Sequence, residues 1–328
     1  MTISVNGIPV FDTNRNACVN SLYMERGIAV GSNVSLLTSP MWGAVAGYIS
    51  GGLGVSACNQ IDKFPFATDT NAIAACVLTV ARLRPAGQSS EISGYNSAGG
   101  EPSTNIIDKF PFATNANAVD VGDASESKRA SAGHSSLING YLSGGVLPPF
   151  SARIDKFPFV TDSNATNIAS LSQARVGLAG QSSLYNGYSN GGSPAPNAFS
   201  NITDKFPFAT DSNATNIGTL SQSRTETTGQ SSCVSGYTSG GYIPGSFSAI
   251  IDKFPFSTDT NSTNIGNLTQ ARSDPGGVSS VNSGYTGSGV ITPGVVNTLD
   301  KFSFSSDGNA TSVGTTAISA RGRAGQQV

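Results

Sequence analysis

The chain has one histidine and one tryptophan in 328 residues, and only 12% of its residues are charged. A lone histidine, His134, excludes the chemistries that need several, such as a histidine-based zinc site or a copper site. The 18 basic and 20 acidic residues leave a net charge of -2, so no concentrated basic face exists for nucleic acid or an anionic membrane surface. No apolar run reaches the length of a transmembrane helix. Residues Met1 to Gly7 lack the basic start and apolar middle of a signal peptide. The four cysteines (Cys18, Cys58, Cys76, Cys233) have no regular spacing and read as free, small, buried side chains rather than a disulfide framework or metal site. No window sustains a 3.6-residue apolar period, so helix should be scarce. No cofactor is expected.

What the chain does have is repetition. Asp204-Lys205-Phe206-Pro207-Phe208 has close copies beginning at Asp62, Asp108, Asp155, Asp252 and Asp300, at steps of 46, 47, 49, 48 and 48 residues. A fixed step of this size marks an array of one structural unit. Twelve of the 16 phenylalanines are the two of this motif, and six of the nine tyrosines (Tyr48, Tyr95, Tyr141, Tyr188, Tyr237, Tyr285) keep the same register. Six lysines follow the motif aspartates, and Arg82, Arg129, Arg175, Arg224, Arg272 and Arg321 recur near the end of each unit. Residues that recur once per unit are expected to hold units together. His134 stands where other units have Gln181 and Gln230 and reads as a surface or loop substitution.

Within the unit from Gly180 to Arg224, four short strands are predicted: Gln181 to Tyr185, Gly187 to Gly192, Ile202 to Ala209, and Thr215 to Leu220. Four short antiparallel strands per unit describe a propeller blade. Alternation puts Asp204, Phe206 and Phe208 on one strand face. Asp204 is therefore expected to be buried and to need a partner, and Arg224 or its equivalent in an adjacent unit is the candidate. The glycine pairs (Gly51-Gly52, Gly99-Gly100, Gly144-Gly145, Gly191-Gly192, Gly240-Gly241) are expected where strands bend near the crowded axis. The Asp-x-Asn turns after the Phe pair, such as Asp211-Ser212-Asn213, read as hydrogen-bonded turns, with calcium ligation left open.

This unit resembles the kelch repeat, which carries a Gly-Gly pair at the end of its second strand, an Asp in its third and an Arg before the next blade. The sixth unit departs, with Ser288 in place of the first glycine, and the usual kelch tryptophan is replaced by Ile168, Ile217, Ile265 or Val313. The resemblance implies a six-bladed, all-β kelch-like propeller over 39–328. The 1–38 segment stands outside the repeat. Its Val5 to Asn16 stretch resembles short segments of bacteriophage tail-fibre proteins, which implies an anchoring or oligomerisation role.

The copies differ most after the glycine pair and after each Arg. Both segments emerge at one end of a four-stranded antiparallel blade, so variation should concentrate on one face of the disc. That face carries the candidate binding residues Val146, Leu147, Phe150, Phe199, Tyr242, Ile243 and Phe247; fixed register favours packing for Phe150, Phe199 and Phe247. The expected function is a non-enzymatic virion protein, a fibre or receptor-binding adhesin on the phage particle. Its partners would be a host surface glycan or protein and, through the N-terminal segment, other virion proteins or further copies of itself. Two readings stand beside it: a cytoplasmic kelch-type interaction scaffold, and a propeller enzyme acting on carbohydrate. The tail Arg321 to Val328 matches the start of a unit whose remainder lies at Trp42 to Gly52, so it is expected to close the ring on the first blade.

Overall fold

The computed structural model describes residues 4–5, 8–9, 43–146 and 149–328. Ser4–Val5 pairs with Ile8–Pro9 in a two-stranded ladder. Leu147, the 39–42 stretch and most of the 1–38 segment lie outside the described residues. From Gly43 onward the chain forms six four-stranded antiparallel sheets, the blades of a β-propeller, and no helix occurs among the described residues.

Blade 4 shows the plan: Ala179–Ser182, Asn186–Asn190, Ile202–Pro207 and Thr215–Thr219 pair in chain order. Blade 1 is composite. Its innermost strand, Ala324–Gln327, comes from the C-terminus and pairs with Ala46–Ser50, placing Gln326 opposite Tyr48. The expected closure is therefore present, and it leaves no open sheet edge at the seam. The blades containing Tyr95, Tyr141, Tyr188, Tyr237 and Tyr285 are blades 2 to 6.

The pairing of the third and fourth strands is irregular in every blade. In blade 4, Thr203 pairs with Gly218 but Asp204 pairs with Asn216, so Ile217 is the extra residue. A bulge re-aims the side chains beside it. Here it turns an apolar residue toward the next blade: Ile168, Ile265 and Val313, at equivalent positions, pack against inter-blade clusters.

Each tyrosine packs on the Phe pair of the following blade. Tyr188 stacks on Phe256 at 4.8 Å and meets Phe254 at 5.3 Å, and Tyr285 closes the circle on Phe64 at 5.3 Å and Phe66 at 5.2 Å. Contacts of this kind add about 0.5–1.5 kcal/mol each beyond the area they bury. The motif lysines tie the rim. Lys205 Nζ lies 2.8 Å from Asp259 in the turn of the next blade, and Lys301 closes the circle on Asp69 at 2.9 Å. The Asn of the same turn accepts a backbone N–H from the preceding blade, as Asn213 does from Ser170 at 3.0 Å. The Asp-x-Asn turns are thus inter-blade staples.

The motif aspartate is fully buried and receives three donors. Asp204 accepts from Ser172 Oγ at 2.6 Å, from Ser172 N at 3.1 Å and from Arg175 at 2.7 Å. Arg175 is the Arg224 equivalent that precedes blade 4, so the pairing runs from the passage into a blade to that blade's own third strand. Arg82–Asp108, Arg224–Asp252 and Arg272–Asp300 repeat it. Two expected members are different residues. In blade 3 the buried cation is Lys128, 3.0 Å from Asp155, while Arg129 turns out to Glu101 at 2.8 Å. In blade 1 it is Arg323, 2.6 Å from Asp62, while Arg321 stays at the surface end of the passage and pairs its backbone with Leu53. Register explains both. The position equivalent to Arg272 is Lys128 in one unit and Ala320 in the other, and a side chain one residue off that register points away from the aspartate.

The glycines at the axis are not the expected pairs. Both members of each pair have positive φ, as with Gly51 at 65° and Gly52 at 111°, and they turn the chain out of the second strand. Backbone meets backbone instead in the innermost strands, where a Cβ on Gly87 would lie 2.3 Å from the Gly325 carbonyl oxygen. Two closed rings of hydrogen bonds encircle the axis there. In one, each inner-strand serine N–H donates to the hydroxyl of the next blade, from Ser89 through Ser135, Ser182, Ser231 and Ser279; Gln327 completes the circle, with distances of 2.9 to 3.4 Å. His134 belongs to this inner layer and is 1% exposed, not a loop residue. A carbonyl can only accept, so Nδ1 carries the proton toward Gln181 O at 3.1 Å, and Nε2 accepts from Ser143 Oγ at 2.8 Å. Burial pushes its pKa down to about 4. Cys58 and Cys76 are free thiols. Cys233 is not; it is disulfide-bonded.

Candidate functional site

The second ring of hydrogen bonds stands at the loop-face end of the axis. Two residues past each buried cation, or in blade 1 past Ala320, which holds that register, Arg84, Ala130, Gly177, Glu226, Asp274 and Gly322 all adopt left-handed backbone, with φ between 53° and 69°. That turn points each N–H at the carbonyl of the neighbouring passage. Arg84 N donates to Gly322 O, Ala130 N to Arg84 O, and so on around to Gly322 N on Asp274 O, at 2.7 to 2.9 Å. The backbone is the same six times, but the side chains differ. Three are charged, and they converge on the axis.

Arg84 crosses the mouth of the channel. Its Nε donates to Asp274 Oδ2 at 2.7 Å, and Nη2 bonds the Glu226 carboxylate. Burial, then the charge of Asp274, push the Glu226 carboxyl up, and Arg84 pulls against them. Burial disfavours the Arg84 cation, but its two carboxylate partners more than offset that and hold it charged. Behind this cap runs a channel of about 140 Å³, lined by the inner strands and reaching as far as the serine ring. No local motif in the sequence joins Glu226 to Asp274. The available signal was register: Arg84, Glu226 and Asp274 each stand two residues after a repeat arginine.

The variable loops surround this cap. The strand-two to strand-three loop of blade 5 forms a small hairpin, Tyr242–Ile243 with Ser246–Phe247, turned by Gly245 at φ 74°. Tyr242 also pairs its backbone with Thr225, the residue before Glu226, which ties the hairpin to the channel mouth. Its ring packs between Phe247 at 5.9 Å and Phe199 of blade 4 at 5.8 Å. Phe199, Tyr242, Ile243 and Phe247 are half-buried; the three rings form one cluster, and Ile243 follows Tyr242 in the hairpin opposite Ser246. In blade 3, Val146 pairs its backbone with both Arg129 and Phe150, and no ring contact joins Phe150 to the blade 4–5 cluster among the described residues. So the structure brings Phe199, Tyr242 and Phe247 together, with Ile243 in the same hairpin, while Val146 pairs with Phe150 in the loop of blade 3. Leu147 lies outside the described residues.

No group of three or more His, Cys, Asp or Glu side chains among the described residues is arranged to hold a metal ion. The site is thus an aromatic ridge beside a charge-capped channel. It offers flat apolar surface, loop backbone groups and three charged side chains already paired with one another.

No family model matches the chain, and no curated protein does. Among solved structures, one described as "Structure of YjhT" superposes with a TM-score of 0.64, covering 79% of this chain and 95% of that one at 14% identity. At that identity the likeness shows the fold alone.

Proposed function

We propose that the protein is a non-enzymatic recognition module of a virion, a bacteriophage fibre or receptor-binding protein that meets a host surface glycan or protein through its loop face. One observation carries this reading: the scaffold contacts repeat around the ring while the loop-face side chains do not. Tyr242 on Phe199 and Phe247 has no counterpart in the other blades among the described residues, whereas every blade repeats the Tyr-on-Phe-pair contact. Divergence confined to loops on a rigid scaffold is the pattern of a binding surface. Partly exposed aromatic rings suit the faces of sugars and the apolar centres of protein epitopes. A disulfide at Cys233 is in keeping with a particle surface, since such bonds persist in oxidising surroundings. The test replaces Tyr242 to Phe247 with the matching loop of blade 4 and compares binding to a glycan array and to host cells. Binding lost with the melting curve preserved supports the reading; binding that survives exchange of several loops assigns it to the wrong face.

The reading as a carbohydrate-active enzyme rests on Glu226 and Asp274, the paired acids at the channel mouth. Arg84 occupies both, so a substrate would have to displace it. Glycan turnover abolished by Glu226→Gln would favour the enzyme over the adhesin.

A further inference from the structure

The fourth strand of each blade is the outer edge of its sheet, and an unprotected edge is a template for another chain. The first two residues of that strand are exposed in every blade. Blades 2 to 6 place at least one polar side chain there: Val119-Asp120, Thr166-Asn167, Thr215-Asn216, Thr263-Asn264 and Thr311-Ser312. Blade 1 has Ile73-Ala74 instead, and Ile73 is 64% exposed. The second of the two residues ordinarily blocks the edge. Asp120, Asn216 and Asn264 each accept the N–H of the glycine two residues on, at 2.9 to 3.1 Å, and Asn167 Nδ2 donates to Ala169 O at 3.3 Å. Side chains bonded to their own strand occupy backbone groups that a second strand would need. Ala74 has no polar side-chain atom and blocks nothing.

The rim staple also changes at this place. Lys109, Lys156, Lys205, Lys253 and Lys301 each meet an aspartate of the following blade at 2.6 to 2.9 Å. In blade 2 the turn offers Asn115, so Lys63 Nζ meets an amide oxygen at 3.2 Å and has no carboxylate partner among the described residues. Lys63 lies directly across the ladder from Ile73, so this unmatched cation stands beside the apolar edge. The unmatched anion is close by. Val77 N donates to Asn117 Oδ1 at 3.2 Å, which joins the outer strand of blade 1 to the turn leading to Asp120. Asp120 is exposed, accepts Gly122 N and forms no salt bridge among the described residues.

We propose that the chain forms a two-fold dimer through this rim, with the Ile73-Ala74 edge of one copy against that of the other and Lys63 of each copy facing Asp120 of its partner. Charge complementarity selects a second copy as the occupant. The patch carries one unmatched cation and one unmatched anion, and a two-fold axis between them brings each against its opposite, residue i meeting j while j meets i. The unblocked edge supplies strand-to-strand hydrogen bonds, and Ile73 supplies apolar area that water would otherwise cover. A contact of this size belongs to the weak class of interfaces, with a dissociation constant on the order of micromolar. It lies on the rim and leaves the loop face open, so it stands whether or not the loop face binds a host.

Sedimentation velocity of the full chain, over a concentration series spanning that range, should show monomer giving way to dimer. Ile73→Thr/Ala74→Asn installs the residues that blade 4 carries at Thr215 and Asn216. It should fold like wild type and weaken association by about tenfold or more. Asp120→Lys sets like charges against each other across the axis and should weaken association by a similar factor. Adding Lys63→Glu to it reverses both charges and should restore the dimer to within about threefold of wild type. Where a charge variant lowers the melting temperature, Ile73→Thr/Ala74→Asn decides alone. A chain that stays monomeric throughout the series overturns the proposal, and so does a dimer that Ile73→Thr/Ala74→Asn leaves intact. A well-folded double charge variant that associates as weakly as Asp120→Lys overturns the contact between Lys63 and Asp120.

Discussion

Arg323 donates from Nη1 to Asp62 Oδ2 at 2.6 Å, across the seam where the last strand of the chain joins the first blade. Its Nε reaches Gly51 O at 2.9 Å and one Nη2 hydrogen reaches Ile49 O at 2.8 Å. Ala320 holds the register at which other blades carry their buried arginine, so the seam draws its cation from three residues further on. Removing one partner of a buried pair strands the other, at about 3–5 kcal/mol. Arg323→Ala should therefore destabilise by roughly that amount, as should Arg175→Ala. Arg321→Ala, with no such pair, should stay within about 0.5 kcal/mol of wild type. Chemical denaturation of the three variants checks this, and an unchanged midpoint for Arg175→Ala would sink the pairing argument.

Ending the chain at Ala320 takes away the inner strand of blade 1. Ala46–Ser50 would then present an unpaired edge and Asp62 would lose its buried cation, keeping only the uncharged donors Ala317 N and Gln60 Nε2. Exposed edges recruit other chains, so light scattering should show aggregation. A monomeric shortened chain that melts like the full one would show the ring to be stable when open.

His134 makes stability depend on pH. Its folded pKa of about 4 lies below the ordinary value near 6.5, so the unfolded chain takes up the proton first. Stability is then full above about 6.5 and is lost as pH falls toward 4. Linkage puts the loss between pH 7.5 and 4.5 at about 2–3 kcal/mol from this group. His134→Gln, which installs the residue of the equivalent positions, should flatten that part of the profile. Parallel curves for the two proteins would show that the ring is not held neutral.

Arg84→Met would leave Glu226 and Asp274 facing each other without their cation. Glu226, already raised by burial and by Asp274, should rise further. The variant should be less stable than wild type at pH 8, and the gap should narrow as pH falls and the Glu226 carboxyl takes up a proton. A gap that widens on acidification would contradict the cap.

Much of the scaffold is legible in the chain because it is written six times over. Phe206 and Phe208, Tyr188 and the aspartate before Lys205 keep their register, and a repeat this regular has few ways to bury them. The tail's likeness to the start of a unit pointed to the seam between Ala324–Gln327 and Ala46–Ser50. The channel mouth was not legible in the same way. Arg84, Glu226 and Asp274 lie 142 and 190 residues apart in pairs, and no local pattern joins them.

What the sequence by itself determined is the unit: four short strands, a recurring Phe pair and tyrosine to bury, and an aspartate that must be paired. Alternation of side chains along a strand and the cost of burying a lone charge settle these locally. The tertiary structure decided which cation meets which aspartate, that the first strand and not the glycine pair crowds the axis, and that His134 is buried. Those outcomes depend on closure. Only when the sixth blade meets the first do the inner strands converge, so that Gly87 touches Gly325, the serine hydroxyls link from blade to blade, and three distant charges share one opening.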